Sequence, residues 1–188
     1  VHWRPSKQLR PSDIDTIKQL LSDEYYIILT RRHNHLSTFM TAFANFFLTG
    51  KWGYWSHALM NMEDEVKSDT DFRLVEAIGD GVTFTPFEKV FDVDAAVLLR
   101  PRGLSAADWT TVFDALNDDI GKPYDTLFDL KNDSSMSCVE LVRSALQKLP
   151  DYETRFARFE ALIAKRKNLT PQMFYDCEDF IVEYQIIR

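Results

Sequence analysis

Ser134-Ser-Met-Ser-Cys-Val-Glu-Leu-Val-Arg-Ser-Ala-Leu146 is the stretch that decides how the chain is read. A polar run ends at Cys138, and beyond it Val139, Leu141, Val142, Ala145, Leu146 and Leu149 recur at helical spacing. Ser134, Ser135 and Ser137 are candidate N-caps, and Glu140 falls in the first turn, where an acid suits the helix dipole. Cys138 is therefore expected at or near the N-terminus of an amphipathic helix. Backbone N–H groups without intrahelical partners favour negative charge there, and a thiol so placed is a better nucleophile. A second reading stays open at this point, because a free cysteine is often just a small buried side chain.

Working outward, composition bounds the choice. A chain of 188 residues with 45% hydrophobic and 13% aromatic residues is expected to fold as a single domain, residues 1–188, around a sizeable core. The formal charge is −7 and no basic stripe emerges, so nucleic acid is not an expected partner. Cys138 and Cys177 are the only cysteines, too few for a disulfide framework, and a reducing, cytoplasmic setting is the simpler expectation. The opening Val-His-Trp-Arg-Pro has no apolar signal region. The apolar run from Phe39 to Leu48, interrupted by Thr41 and Asn45, is too short to span a bilayer. No integral membrane segment is expected, and a monomer is.

Before the cysteine, residues 1–11 carry Arg4, Lys7 and Arg10 and read as a surface arm. Ser12 or Asp13 can cap a helix through Ile14, Ile17, Leu20 and Leu21. Tyr25 to Thr30 reads as a buried strand. Leu36, Phe39, Met40, Phe43, Phe46 and Phe47 share one face of a helix that ends before Gly50. Such a stripe is core, or lines an apolar cleft, or touches lipid. A loop from Trp52 leads into a strand, Phe72 to Ile78 alternates like another, and Gly79-Asp-Gly81 signals a tight turn into Val82 to Phe84. Thr85-Pro86 opens a helical turn, Ala95 to Leu99 is a further strand, and a helix runs from Leu104 to near Gly121. Lys122 to Met136 lacks periodicity and has the length of a functional loop. After Pro150 come a helix through Phe156, Phe159, Leu162 and Ile163, a turn at Thr170-Pro171, and a closing strand from Phe180 to Ile187.

A cysteine nucleophile needs a base within hydrogen-bond reach and a third group to orient that base. The histidines are His2, His33, His35 and His57. His2 lies in the arm. His33 and His35 flank a polar break, with no Cys or carboxylate at zinc-like spacing, so no metal site is expected. His57 stands at the start of an apolar strand, and Glu76 lies inside another, Leu74-Val-Glu-Ala-Ile78, where a charge is costly unless paired. If these strands are antiparallel neighbours, Glu76 can face His57 across the ladder and leave the second ring nitrogen for the thiol proton. A structural His57 and an outward-facing Glu76 are equally open on these grounds.

Together the segments resemble the circularly permuted NlpC-type papain-like hydrolases, in the YiiX-like branch related to lecithin retinol acyltransferase. Trp55-Ser-His57 is similar to the family's histidine strand. Leu74-Val-Glu-Ala77 with Gly81-Val-Thr-Phe-Thr-Pro86 resembles its next hairpin and turn. Gly121-Lys-Pro-Tyr-Asp125 and Phe128-Asp129 resemble the approach to the cysteine, Ser137-Cys-Val-Glu-Leu-Val142 the nucleophile helix, and Leu169-Thr-Pro171 the late turn. The family often has a small hydroxyl residue after its cysteine, where this chain has Val139.

The resemblance implies an α+β fold in which an antiparallel, partly barrel-like sheet packs against the helix carrying the cysteine. It implies Cys138 as nucleophile, His57 as general base and Glu76 as orienting group, with neither metal nor organic cofactor. The backbone N–H of Cys138 is the implied oxyanion donor, and Tyr124 is a candidate to help it or to line the cleft. Glu140 is read as a helix-start residue, Asp125 as a loop anchor and Cys177 as a buried structural thiol. The expected substrate is a peptide amide, such as those of cell-wall peptides. Lipid-acyl hydrolysis or transfer is the alternative within the same chemistry, and a binding module that kept the fold without turnover is the alternative outside it.

Overall fold

The structure, a computed structural model, describes residues 8–32, 53–63, 72–125, 135–166 and 169–188. His2, His33, His35 and the Phe39 to Phe47 stripe lie outside the described residues.

Pro11 opens helix α1 (Pro11–Asp23). The ring keeps the preceding residue out of the helical region, and its missing N–H costs nothing at the first position, so the boundary falls at Arg10. The expected cap at Ser12 or Asp13 is thereby displaced: Asp13 acts from the third helical position, accepting from the Arg10 N–H at 2.9 Å. The segment read as a surface arm already docks at Leu9, which is buried and whose N–H donates to the Val93 carbonyl at 3.1 Å.

Six strands follow: β1 (Ile27–Arg31), β2 (His57–Glu63), β3 (Phe72–Ile78), β4 (Gly81–Thr85), β5 (Ala95–Pro101) and β6 (Phe180–Ile187). They form one sheet in the order β4-β3-β2-β1-β5-β6, and every pairing is antiparallel. The sheet is an open ladder from β4 to β6. It is not closed into a barrel, and it packs against the helix that carries Cys138, in keeping with the α+β fold expected from the sequence.

Both faces of the sheet centre are covered, which explains why β1 and β5 read as continuous apolar runs rather than alternating ones. On one face Ile28, Leu59, Leu74 and Leu98 pack with Ile17 and Leu21 of α1 and with Phe87 and Phe91. Phe87 begins helix α2 (Phe87–Val90). On the other face Leu29, Ala58, Met60, Val75 and Val97 join a larger core. Helices α3 (Ala106–Asp119) and α4 (Cys138–Gln147) feed it, as do α5 (Tyr152–Arg155), α6 (Ala157–Arg166) and α7 (Pro171–Asp176). Helix α4 buries Val139, Leu141, Val142 and Leu146 there, each worth about 1.5–3 kcal/mol by removal of apolar area from water. Phe159, Phe174 and Phe180 close the far end in mutual ring contact.

Asn61, fully buried in β2, ties α1 to the sheet. Its carbonyl accepts from the Tyr26 N–H at 2.7 Å, and its amide donates to the Leu21 and Glu24 carbonyls at 3.0 and 2.8 Å. Carbonyls left over at the end of α1 thus find a partner inside the core.

Candidate active site

Ser137, in extended backbone, is the N-cap of α4, and Glu140 closes the capping box by accepting from the Ser137 N–H at 2.7 Å. Glu140 is thus occupied at the helix start, as its position suggested. Cys138 is the first residue of α4 and is buried. Its N–H lies in the first turn, where no preceding carbonyl of the helix can accept it.

Tyr124 and Met136 form a parallel bridge, with the Asp125 N–H donating to the Met136 carbonyl at 3.1 Å and the Met136 N–H to that of Pro123 at 2.9 Å. The same segment is stitched to β4: the Val82 N–H donates to Lys122 at 2.8 Å, and the Gly121 N–H to Val82 at 2.9 Å. Tyr124 thereby stands within electrostatic reach of Cys138, Glu140 and Asp125. Burial first, then these negative neighbours, push its phenol upward, so it stays protonated and able to donate. Asp125 is buried beside it, in keeping with an anchoring role.

His57 opens β2. The loop before it is held by the fully buried Trp55, whose ring meets Tyr54 and Tyr175 at 5.0 and 5.8 Å between centroids. Gln172 of α7 accepts from the Tyr54 N–H at 2.8 Å and in turn donates to Asp176 at 2.8 Å. The Ser56 N–H donates to the Thr30 carbonyl at 3.1 Å.

β2 and β3 are antiparallel neighbours, as the pairing of His57 with Glu76 requires. Extending the register from Met60 opposite Val75 puts Leu59 opposite Glu76, so His57 is the diagonal neighbour of Glu76 and not its direct partner. The two meet all the same: His57 Nε2 lies 2.6 Å from Glu76 Oε2, with a quarter of the histidine side chain and 8% of the glutamate exposed.

Cys138 interacts with the same imidazole, both as a charge and as a hydrogen-bond partner. Burial disfavours the imidazolium, but Cys138 foremost and then Glu76 overcome this and push the His57 pKa up to about 10. Glu76 pays its own burial cost, yet hydrogen bonds from His57 and from the Thr85 hydroxyl, with the Arg32 charge, hold its carboxyl below the usual range. Cys138, His57 and Glu76, far apart in sequence, are therefore side by side.

Cys177 stays apart as a free, buried thiol, and burial pushes it up to about 11. Among the described residues no group of three or more His, Cys, Asp or Glu side chains could hold a metal ion. Nor is any described helix long and apolar enough to cross a membrane. Thr85 and Gln172 were missed as contributors. Each is a common polar residue beside a proline-marked turn, and only the pairing of distant segments reveals its contact.

A fold with a cysteine at a helix start and a histidine on the facing sheet defines a papain-like class with permuted order. The chain belongs to the permuted papain-like amidase family YaeF/YiiX, C92, whose profile matches residues 16–180. The fold is similar to that in the crystal structure of metalloprotein yiiX from Escherichia coli O157:H7. The TM-score is 0.61 at 17% identity, covering 88% of this chain and 98% of that one. No curated protein sequence matches the chain.

Proposed function

We propose that this chain is a cysteine amidase or peptidase in which Cys138 is the nucleophile, His57 the proton carrier and Glu76 the group that orients His57. The observation that supports it is the 2.6 Å contact between the Glu76 carboxylate and the His57 imidazole, which also interacts with the Cys138 thiol on the first residue of α4. His57 is protonated at neutral pH in this setting, and the reacting form pairs that imidazolium with the Cys138 thiolate.

The thiolate attacks the carbonyl carbon of an amide, a C–S bond forms, and the carbonyl oxygen takes the negative charge. The Cys138 N–H faces that oxyanion, with the Tyr124 hydroxyl as second donor. His57 gives its proton to the leaving nitrogen, the C–N bond breaks, and a thioester remains. Water then adds as His57 takes its proton, the C–S bond breaks, and the acid leaves. Glu76 balances the imidazolium and fixes the ring tautomer throughout.

The substrate is a peptide amide, with cell-wall peptides foremost. The family's description as amidases and the resemblance to NlpC-type endopeptidases support this class.

Iodoacetamide labelling followed site by site by mass spectrometry tests the assignment. Cys138 is expected to react fast and Cys177 slowly, and His57→Ala is expected to slow Cys138 by about 10²–10⁴-fold, the usual worth of a positioned base. Release of peptide from purified cell-wall fragments, absent in Cys138→Ala, checks the substrate. Equally slow labelling of both cysteines in the native protein would overturn the catalytic reading.

A further inference from the structure

Glu76 sits on β3 between two partners. Its direct opposites are Thr83 on β4 and, by extension of the register, Leu59 on β2. The diagonal neighbours are His57 on one side and, because Leu74 is opposite Thr85, Thr85 on the other. Both diagonal residues reach the carboxylate: His57 Nε2 at 2.6 Å, and Thr85 through its hydroxyl. Glu76 is thus flanked by His57 and Thr85 on its two neighbouring strands, toward opposite ends of β3.

We propose that Thr85 is a positioning residue for the catalytic histidine, acting through Glu76. The inference rests on the reading of Cys138, His57 and Glu76 as the reacting group. A carboxylate gripped only by His57 is free to rotate about its last bond and to lose its alignment with Nε2. A hydroxyl donating from the opposite strand stops that rotation and stabilises the ionised form over the acid. Since a protonated carboxyl gives the imidazolium no countercharge, Thr85 extends toward low pH the range in which the Glu76 carboxylate and the His57 imidazolium stay paired.

The groups that act on Glu76 come from three elements. His57 of β2, with Cys138 beyond it, and Thr85 of β4 touch this chain of contacts. Arg32, just past β1, acts through its charge. The Arg32 Nε donates to the Asp92 carbonyl at 2.8 Å, and its guanidinium lies 3.5 Å from the Asp92 carboxylate, which leaves Thr85 as the neutral donor among them. Thr85 also borders a groove of about 190 Å³ shared with Phe72, Leu74, Phe84 and Phe87, so a change of its side chain meets open space on one side. Neither Cys138 nor His57 lines that groove.

The test is the pH profile of Cys138 alkylation by iodoacetamide in the intact chain. Thr85→Val, nearly isosteric and without a donor, is expected to move the acid limb up by about one pH unit, the worth of one hydrogen bond to a charged group. Thr85→Ser, which restores the donor, is expected to return the limb to its native place. Thr85→Ala serves with the same expectation should the valine variant melt early. An acid limb unmoved in both donorless variants, while His57→Ala still abolishes fast labelling, overturns the role of Thr85 and leaves the catalytic reading standing. Slow labelling of Cys138 in the native chain overturns both.

Discussion

At the scale of residues, the site depends on one carboxylate kept charged in a place that should discharge it. Glu76 is buried, and burial alone would push its pKa upward. Its donors reverse that outcome. The imidazole gains in turn, and the sign of the effect on stability follows. The pKa of His57 in the fold, about 10, lies above its ordinary 6.5, so the stabilisation is complete below about pH 6.5 and is lost as pH rises through about 10. Glu76 is shifted the other way, and its share is lost as pH falls through its folded value. Glu76→Gln removes part of the upward shift on His57. The stability gap between the native chain and this variant is therefore expected to be widest near pH 6.5 and to close toward pH 10. Urea unfolding across that range measures it, and a gap that widened with pH would contradict the pairing.

At the scale of elements, the tightest constraint is the turn between β3 and β4. Gly81 has φ of +105°, a region side chains avoid, and a Cβ there would stand 2.4 Å from the Lys122 carbonyl oxygen. That carbonyl accepts from Val82, and its segment leads directly to Tyr124 and the bridge with Met136 before the cysteine. One glycine thus lets a hairpin press against the strip of chain that leads to Tyr124 and the bridge before Cys138. Gly81→Ala is expected to destabilise the fold by about 2 kcal/mol, within the usual cost of a strained backbone, and to lower the melting midpoint by roughly 4–8 °C for a chain of this size. Calorimetry reads the first effect, and slower Cys138 labelling at temperatures where the variant is folded reads the displacement of the strip that carries Lys122 and Tyr124.

At the scale of the whole molecule, an open sheet with helices on both faces places the site and closes on itself through a distant ion pair. The Arg188 guanidinium donates to both carboxylate oxygens of Asp13 in α1, to Oδ1 at 2.6 Å, and the Arg188 N–H donates to the Asp94 carbonyl at 3.0 Å. Arg188 hydrogen-bonds and holds Asp13 below the usual carboxylate range, so this contribution is present above about pH 4 and fades as the folded carboxyl takes a proton. Arg188→Ala is expected to cost up to about 1 kcal/mol at neutral pH, the ceiling for a partly exposed pair. The cost should vanish at acid pH, as denaturant titration at the two extremes would show.

Much of this was legible in the chain. Cys138 at a helix start, the apolar strands and the Gly79–Gly81 turn follow from local patterns, because capping, periodicity and turn chemistry act within a few residues. The meeting of His57 and Glu76 was one of two open readings, since a charge inside an apolar strand either finds a partner or faces outward. What the sequence left undecided is set by register and by chain segments brought together from afar. The diagonal offset of His57 from Glu76, the grip of Thr85 from the opposite strand, the Gln172 brace on the histidine loop and the open edges of the sheet are of this kind. Each depends on which residues stand across a ladder or against another element, and no spacing along one strand encodes that, because pairing energy belongs to two segments at once.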